Sequence, residues 1–215
     1  RQPETLPPER RRPFSAAAIY AAFRETCTHR IAFGYTIAGG FIFGSFLGYL
    51  NSAQQIYQDI YGTGEMFAVY FGVIALAIGA ASYANARLVG KHGMRRISMI
   101  ALGCKVVLSI AVLPLAWVFD GVPPLYPFIG YQMLSFFFIG MLFANFNSLA
   151  MEPMGHIAGS ASAVISSMMT FMSMILGGIV GQAFDGTVLP MIAGFAVFGS
   201  ISLSIMLWIE RTRRD

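Results

Sequence analysis

Six long apolar segments, separated by short polar connections, run along most of the chain. They cover about residues 31–51, 65–86, 96–118, 125–149, 158–183 and 188–209. Each is close to the roughly 20 apolar residues that a helix needs to cross the hydrocarbon core of a bilayer. The pattern predicts an all-α membrane protein with six transmembrane helices over residues 31–209.

The residues on either side of this domain are polar or amphipathic. Residues 1–13 are rich in Pro and Arg, which is typical of a cytoplasmic linker, and we expect the chain to begin partway through a longer polypeptide. Residues 14–29 predict an interfacial amphipathic helix, with Ser15 as its N-cap. Residues 210–215 are predicted to be a cytoplasmic tail. The apolar side of the interfacial helix is predicted to carry Phe14, Ile19, Tyr20 and Phe23.

The distribution of charge sets the predicted orientation in the membrane. Only 11% of the residues are charged, and the net charge of +4 comes from Lys and Arg beside alternate connections. Because short cytoplasmic loops retain Lys and Arg during insertion, both termini are predicted to be cytoplasmic. The connections near Asp59, Asp120 and Asp185 contain no Lys or Arg. Clustering of basic residues beside apolar segments favours membrane topology over nucleic-acid binding.

Candidate chemistry is sparse in this sequence. Cys27 and Cys104 are too few for a disulfide framework. His29, His92 and His156 are far apart and lack the spacing of metal sites, and no glycine-rich phosphate loop is present. The sequence therefore predicts no enzyme, no metal and no cofactor.

The fourth segment carries amides and aromatic rings at helical spacing. Such a stripe suits a cavity for small amphiphilic compounds, although buried amides can equally well form hydrogen bonds with a neighbouring helix. Residues of the first segment could complete the cavity wall. The candidates for this substrate cavity are Gln132, Phe136, Phe143 and Asn147, with Tyr35, Phe43 and Asn51 from the first segment.

Small residues recur every three or four positions in the first and fifth segments, and they predict close helix contacts. The contacts could lie within the six-helix bundle or could meet a second bundle outside this chain. The first segment contributes Thr36, Gly40, Gly44, Gly48 and Ser52, and the fifth contributes Ser166, Thr170, Ser173, Gly177 and Gly181.

Two charged residues in or beside the apolar segments have alternative interpretations. Lys105 lies inside the third segment, where it could couple protons or substrate, but its long side chain could also extend toward the cytoplasm, which we favour. Glu65 begins the second segment, where we expect a helix N-terminal cap before a gate or relay residue.

A basic, glycine-containing turn connects the second and third segments. It resembles the loop motif Gly-x-x-x-Asp-Arg-x-Gly-Arg-Arg of the major facilitator superfamily, which lies between the second and third helices of each six-helix half. A simpler interpretation is a basic anchor on the cytoplasmic side. The matching residues are Lys91, Gly93, Arg95 and Arg96, and the departures are Ala86, Gly90 and Met94.

Three further stretches are similar to the Bcr/CflA drug efflux transporters, the bicyclomycin and chloramphenicol resistance branch of that superfamily. They are residues 4–11, residues 158–163 at the start of the fifth segment, and residues 184–187 before the sixth. The stretches follow in order across nearly the whole chain.

The resemblance implies that the chain is the C-terminal six-helix half of a twelve-helix drug:proton antiporter in a bacterial inner membrane. It implies small amphiphilic drug-like substrates, protons, membrane lipid and a missing N-terminal half as partners. In that family the first and fourth spans of each half line the cavity, the second and fifth contact the other half, and the third and sixth face outward. The resemblance therefore favours a cavity role for the fourth segment, half-to-half packing for the fifth, and an extended, cytoplasm-directed Lys105.

Two alternatives remain open at this point. The chain could be a half-transporter that acts as a homodimer, or it could be a membrane assembly or scaffold subunit with no transported substrate. The scaffold alternative predicts that Gln132 and Asn147 can be replaced without loss of function, whereas Gly177→Leu and Gly181→Leu abolish complex formation.

Overall fold

The computed structural model describes residues 16–212, and within this range it contains helices and turns but no strand. The predicted linker, Ser15 and the end of the predicted tail lie outside the described residues. A short helix is followed by six long ones. They are α1 (Ala16–Thr28), α2 (Arg30–Gln54), α3 (Phe67–His92), α4 (Met94–Val118), α5 (Leu125–Met151), α6 (Ala158–Gln182) and α7 (Leu189–Thr212).

Five continuous helical stretches are long and apolar enough to cross a membrane, judged by length and composition. One of them, Leu125–Gln182, is 58 residues long and would measure roughly 87 Å as a straight helix, far beyond a bilayer core. It contains both α5 and α6, separated by a tight helical turn over Glu152–Ile157. Met154 has non-helical angles (φ −104°, ψ 19°) in this turn. The described chain thus has five to six helices suited to membrane spans.

Helix α2 lies at the centre of the bundle, packed against α5, α6 and α7. Helix α4 packs against α5 and α7, whereas α3 packs mainly against α5. More than half of the apolar part of α2 is buried, compared with 17% of that of α3. Much of the surface of α3 is therefore left open for lipid or for another protein segment.

Glycines allow the close approach of α2 and α6. A Cβ atom added to Gly44 would lie 2.8 Å from the Leu176 Cβ atom, and one added to Gly48 would lie 3.0 Å from the Val180 Cβ atom. From the opposite side, a Cβ atom on Gly177 would lie 2.6 Å from the Leu47 Cβ atom. Side chains at these positions would force the two backbones apart, so the small residues determine the spacing of α2 and α6.

The short helix α1 turns its small residues toward the bundle and its large apolar residues outward. Ala22 and Thr26 are buried, while Ile19, Tyr20 and Phe23 are exposed. An apolar surface of this kind suits the interface between bilayer and water. The position of α1 at the membrane surface stays a prediction.

Candidate functional site

A row of aromatic rings connects α2 to α5. Phe43 lies with its ring centroid 4.9 Å from that of Phe143 and 5.6 Å from that of Phe46, with which it stacks. Phe46 in turn lies 5.7 Å from Phe136, and Tyr49 meets Phe136 edge-on at 4.6 Å. The helical spacing of these residues places one ring per turn on α2 and one ring every two turns on the facing side of α5.

The row is open at one end and buried at the other. Phe143 is 43% exposed and Phe43 is partly exposed, whereas Phe136 is 2% exposed. Asn147, one turn beyond Phe143, is also partly exposed, and Asn51 on α2 is exposed. We call Phe43, Phe143 and Asn147 the open face of α2 and α5. This face combines aromatic rings with an amide, which suits contact with amphiphilic molecules. Asn51 lies about 12 Å further along α2, past the buried end of the row and beside Gly181 of α6.

A small cavity of about 80 Å³ lies beside the buried end of the row. Its wall includes the rings of Phe46, Tyr49, Phe71 and Phe136, together with aliphatic residues of α3. The volume suits a small apolar substituent and is far below the several hundred cubic ångströms of a drug-sized pocket. A larger apolar groove of about 710 Å³ lies elsewhere, between α1 and α6, and does not include any residue of the aromatic row.

Two further predicted cavity residues, Gln132 and Tyr35, also lie away from the open face. Gln132 is fully buried and its Nε2 atom lies 3.4 Å from the Met191 sulfur of α7, while its Oε1 atom has no hydrogen-bond partner among residues 16–212. Tyr35 is also buried, and its hydroxyl donates to Glu210 at 2.7 Å. Among residues 16–212 both side chains thus contact a neighbouring helix, which is the interhelical alternative, and a place for them in a cavity stays a prediction.

The predicted loop motif joins α3 to α4 and contributes to an ionic cluster. Gly93 has φ +78° and ψ 149°, a conformation that L-residues with side chains rarely adopt, so glycine permits the abrupt turn between the two helices. Arg95 pairs with Glu152 at the end of α5, and its Nε atom lies 3.4 Å from Glu210 Oε1 near the end of α7. Lys91 and Arg96 are exposed.

The predicted packing residues of α6 divide into two groups. Ser173 and Gly177 are buried, and Gly177 lies against Leu47 of α2, so these two cannot contact a second bundle in this arrangement. Gly181 also faces α2, because an added Cβ atom would lie 2.8 Å from the Asn51 Cβ atom. Ser166 and Thr170 are exposed. Contact with another bundle stays a prediction for these two.

Lys105 does not extend to the cytoplasmic surface, contrary to our prediction. The side chain is fully buried between α4 and α7, where the ammonium group donates to the Phe195 carbonyl at 3.0 Å. Glu65 lies exposed in the short turn Gly64–Met66, and no side chain caps the first turn of α3. The expected capping hydrogen bond is therefore absent at the start of this helix.

A buried amide pair was missed by the sequence analysis. Asn85 of α3 and Asn145 of α5 exchange two hydrogen bonds, of 2.8 and 2.9 Å. Asn145 lies two residues before Asn147, on a different side of α5. An asparagine in each of two apolar segments was the available signal, but it does not reveal which asparagines face each other.

The arrangement defines a multi-pass helical membrane protein with an open amphiphilic face and a cluster of charges at one end. The family model of the Major Facilitator Superfamily matches residues 1–178, so the chain belongs to this transporter superfamily. The predicted family is confirmed.

Two curated relatives refine the comparison. The chain is 31% identical over 203 residues to the uncharacterised MFS-type transporter YdgK of Bacillus subtilis, covering 93% of this chain and 50% of the relative. It is 26% identical over 217 residues to a bicyclomycin resistance protein homolog of Haemophilus influenzae, covering 99% of this chain and 52% of the relative. The chain thus spans about half the length of both relatives. No solved structure matches it.

Proposed function

We propose that this chain is the C-terminal six-helix half of a multidrug efflux transporter that exports small amphiphilic compounds in exchange for protons. The observation that carries the proposal is the open face of α2 and α5, where the Phe43 and Phe143 rings lie 4.9 Å apart. Rings that are open on one side and lie one turn from a partly exposed amide, Asn147, are expected on the wall of a cavity rather than on a surface that faces only lipid tails.

The missing part of the cavity is proposed to come from a second six-helix half. Support comes from the relatives, which are about twice as long as the region matched, and from the exposed Ser166 and Thr170 on α6. The largely exposed α3 would provide further contact area for that half. Export would then follow from rocking of the two halves about a site near the midplane of the membrane.

The ionic cluster of Arg95, Glu152 and Glu210 is proposed to lie on the cytoplasmic side of a bacterial inner membrane. This orientation follows the basic residues of the loop motif and places both ends of the chain in the cytoplasm. The cluster joins the start of α4 to the ends of α5 and α7, so it would hold these helix ends together while the halves rock. No other group of salt bridges among residues 16–212 joins three helix ends in this way.

The test is export of bicyclomycin and of a fluorescent amphiphilic cation by the full-length polypeptide that contains this segment. It would be expressed in a drug-sensitive bacterium without its major efflux pumps. We expect active efflux that an uncoupler abolishes. We also expect Phe143→Ala to raise the apparent KM about tenfold, the effect of losing roughly 1.4 kcal/mol of substrate contact.

Leu134→Ala is the matched control for this variant. Leu134 lies nine residues before Phe143 on α5, which turns it by about 180° to the opposite side of the helix, and it is 51% exposed. It should leave the apparent KM unchanged. Absence of uncoupler-sensitive efflux from the full-length protein would refute the proposed function, and equal effects of the two variants would refute the proposed wall.

A further inference from the structure

Lys105 lies midway along α4, and its side chain is fully buried. Among Asp, Glu, Lys and Arg in the described helices α2 to α7, it is the only one in the middle third of its helix. Burying an ammonium group within a membrane protein costs free energy, and such residues are retained where they have a function. No carboxylate pairs with Lys105 in the part of the chain that the structure describes.

The contacts of Lys105 are to α7. Its Nζ atom donates to the Phe195 carbonyl at 3.0 Å and lies 4.8 Å from the centroid of the Phe195 ring. A Cβ atom added to Gly199, one turn further along α7, would lie 3.4 Å from Nζ. Gly199 therefore also lies close to the ammonium group, and the Phe195 carbonyl and ring both attract a protonated amine.

The same level of the bundle includes α5. Ser109, one turn beyond Lys105 on α4, accepts a hydrogen bond of 3.2 Å from the Tyr131 hydroxyl. The Tyr131 ring lies 6.3 Å from the Phe195 ring. Three helices therefore meet around Lys105, Tyr131 and Phe195, which is a suitable place for a group that controls their contact.

We propose that Lys105 is a protonatable clamp between α4 and α7. When it carries a proton, the ammonium group binds the Phe195 carbonyl and ring and holds the two helices together. When the proton leaves, the neutral amine loses its attraction to the ring and donates a weaker hydrogen bond, so the contact loosens. The clamp does not depend on the transported substrate, and it can be tested whether or not the chain exports drugs.

Few other titratable groups face this position. Helix α7 has none from Leu189 to Ile209, and the middle of α5 provides only Tyr131. Helix α4 has Cys104 beside Lys105, but that thiol is exposed on the outer surface. Helix α3 makes little contact with α4, and its charged side chains, Arg87 and Lys91, lie near its end. A proton-dependent change at Phe195 would therefore point to Lys105 or Tyr131.

The experiment uses fluorine NMR of the full-length polypeptide in phospholipid nanodiscs, with Phe195 replaced by para-fluorophenylalanine. The resonance would be followed from about pH 6 to about pH 11, a range that includes the ordinary lysine pKa. We expect one single-proton transition with Lys105 present and none in Lys105→Met or Lys105→Arg, which stay uncharged and charged respectively. Tyr131→Phe should retain the transition.

A second fluorine reporter distinguishes a change near Lys105 from a change in the whole helix bundle. Phe198 lies on the same helix, with its ring 5.8 Å from the Phe41 ring, and para-fluorophenylalanine in its place should show no transition. Lys105→Arg, which keeps the charge, provides a folded comparison if Lys105→Met is unstable. A resonance at Phe195 that does not change with pH, or a transition that persists in Lys105→Arg, would overturn the proposal.

Discussion

The Arg95 guanidinium and the Glu210 carboxylate join the first turn of α4 to the last turns of α7, with Nε and Oε1 3.4 Å apart. The same Oε1 atom accepts the Tyr35 hydroxyl hydrogen bond at 2.7 Å, and Arg95 also pairs with Glu152. The starts of α2 and α4 and the ends of α5 and α7 therefore meet at one end of the bundle. Because these four helix ends lie together, the chain runs through the bundle an even number of times between any two of them.

Glu210→Gln should weaken the contact between the start of α4 and the end of α7 without unfolding the protein. The amide can still accept the Tyr35 hydrogen bond, and Arg95 keeps Glu152, so the loss should be about 1 kcal/mol or less. Thermal unfolding in detergent would measure it, with the exposed Arg96→Gln as a control that should have almost no effect. A double-mutant cycle of Arg95→Gln and Glu210→Gln should give a total below the sum of the single changes. Strict additivity would show that the two residues are not coupled.

Gly177→Ala should destabilise the bundle, whereas Gly178→Ala should not. A Cβ atom on Gly177 would lie 2.6 Å from the Leu47 Cβ atom and 2.9 Å from its backbone carbon, which cannot move aside easily. We expect a cost of about 1–3 kcal/mol, typical of overpacking. A Cβ atom on Gly178 would meet nothing within 4 Å, so its only expected effect is the gain of helix propensity. Equal thermal unfolding temperatures for the two variants would contradict this assignment.

The helices were predictable from the sequence because the bilayer sets their length. The predicted first segment, at about residues 31–51, is observed as Arg30–Gln54, and the predicted fifth, at about 158–183, as Ala158–Gln182. The extension of the first by a π-helical turn over Gln55–Ile60 was not predicted. Hydropathy indicates which residues can remain in lipid. The helix continues past that boundary because Ile56 and Tyr57 pack inside the bundle, where both are buried.

Side-chain directions were much less predictable than helices. The recurrence of Gln132, Phe136 and Phe143 suggested one stripe, yet the first two are buried and only the third is well exposed. Which side of a helix is open depends on the positions of its neighbours, here α2 and α7, and the periodicity of one segment does not contain that information. For the same reason Lys105 was expected to reach the surface, because the carbonyl of Phe195 on another helix could not be anticipated.

Thiol labelling of Cys27 should report the side of the membrane on which α1 lies. Burial raises the pKa of this thiol above its ordinary value, so little reactive thiolate exists at neutral pH. In a Cys104→Ser background, we expect an impermeant maleimide to label Cys27 only in inside-out vesicles, and faster as the pH rises toward the raised pKa. Asp185→Cys, in the predicted opposite connection, should be labelled only from the outside.

Two other labelling patterns would contradict the predicted topology. Labelling of Cys27 in intact cells, or of both positions from one side, would contradict cytoplasmic termini and with them the proposed orientation of the ionic cluster. A labelling rate at Cys27 that rises with pH over the same range as that of an exposed cysteine would contradict the raised pKa of its thiol, without bearing on the side of the membrane.

Asn85 and Asn145 should contribute as a pair to the contact between α3 and α5. Asn85→Ala leaves the Asn145 amide buried without a partner, and we expect a loss of about 1–3 kcal/mol in thermal or denaturant unfolding. Removing both amides should cost less than the sum of the single changes, with a coupling of about 0.6–2 kcal/mol, the range found for interhelical hydrogen bonds in membranes.

Asn147→Ala is the matched control for this cycle, because Asn147 lies two residues further along α5 and is partly exposed. It should change stability by less than either Asn85→Ala or Asn145→Ala, since water or a ligand can satisfy its amide. Should all three variants lose the same stability, the asparagines would be interchangeable polar residues. A coupling near zero would mean that α3 is held against α5 by apolar packing alone, for example where Ala81 faces Gly140 and an added Cβ atom would lie 2.9 Å from the alanine Cβ atom.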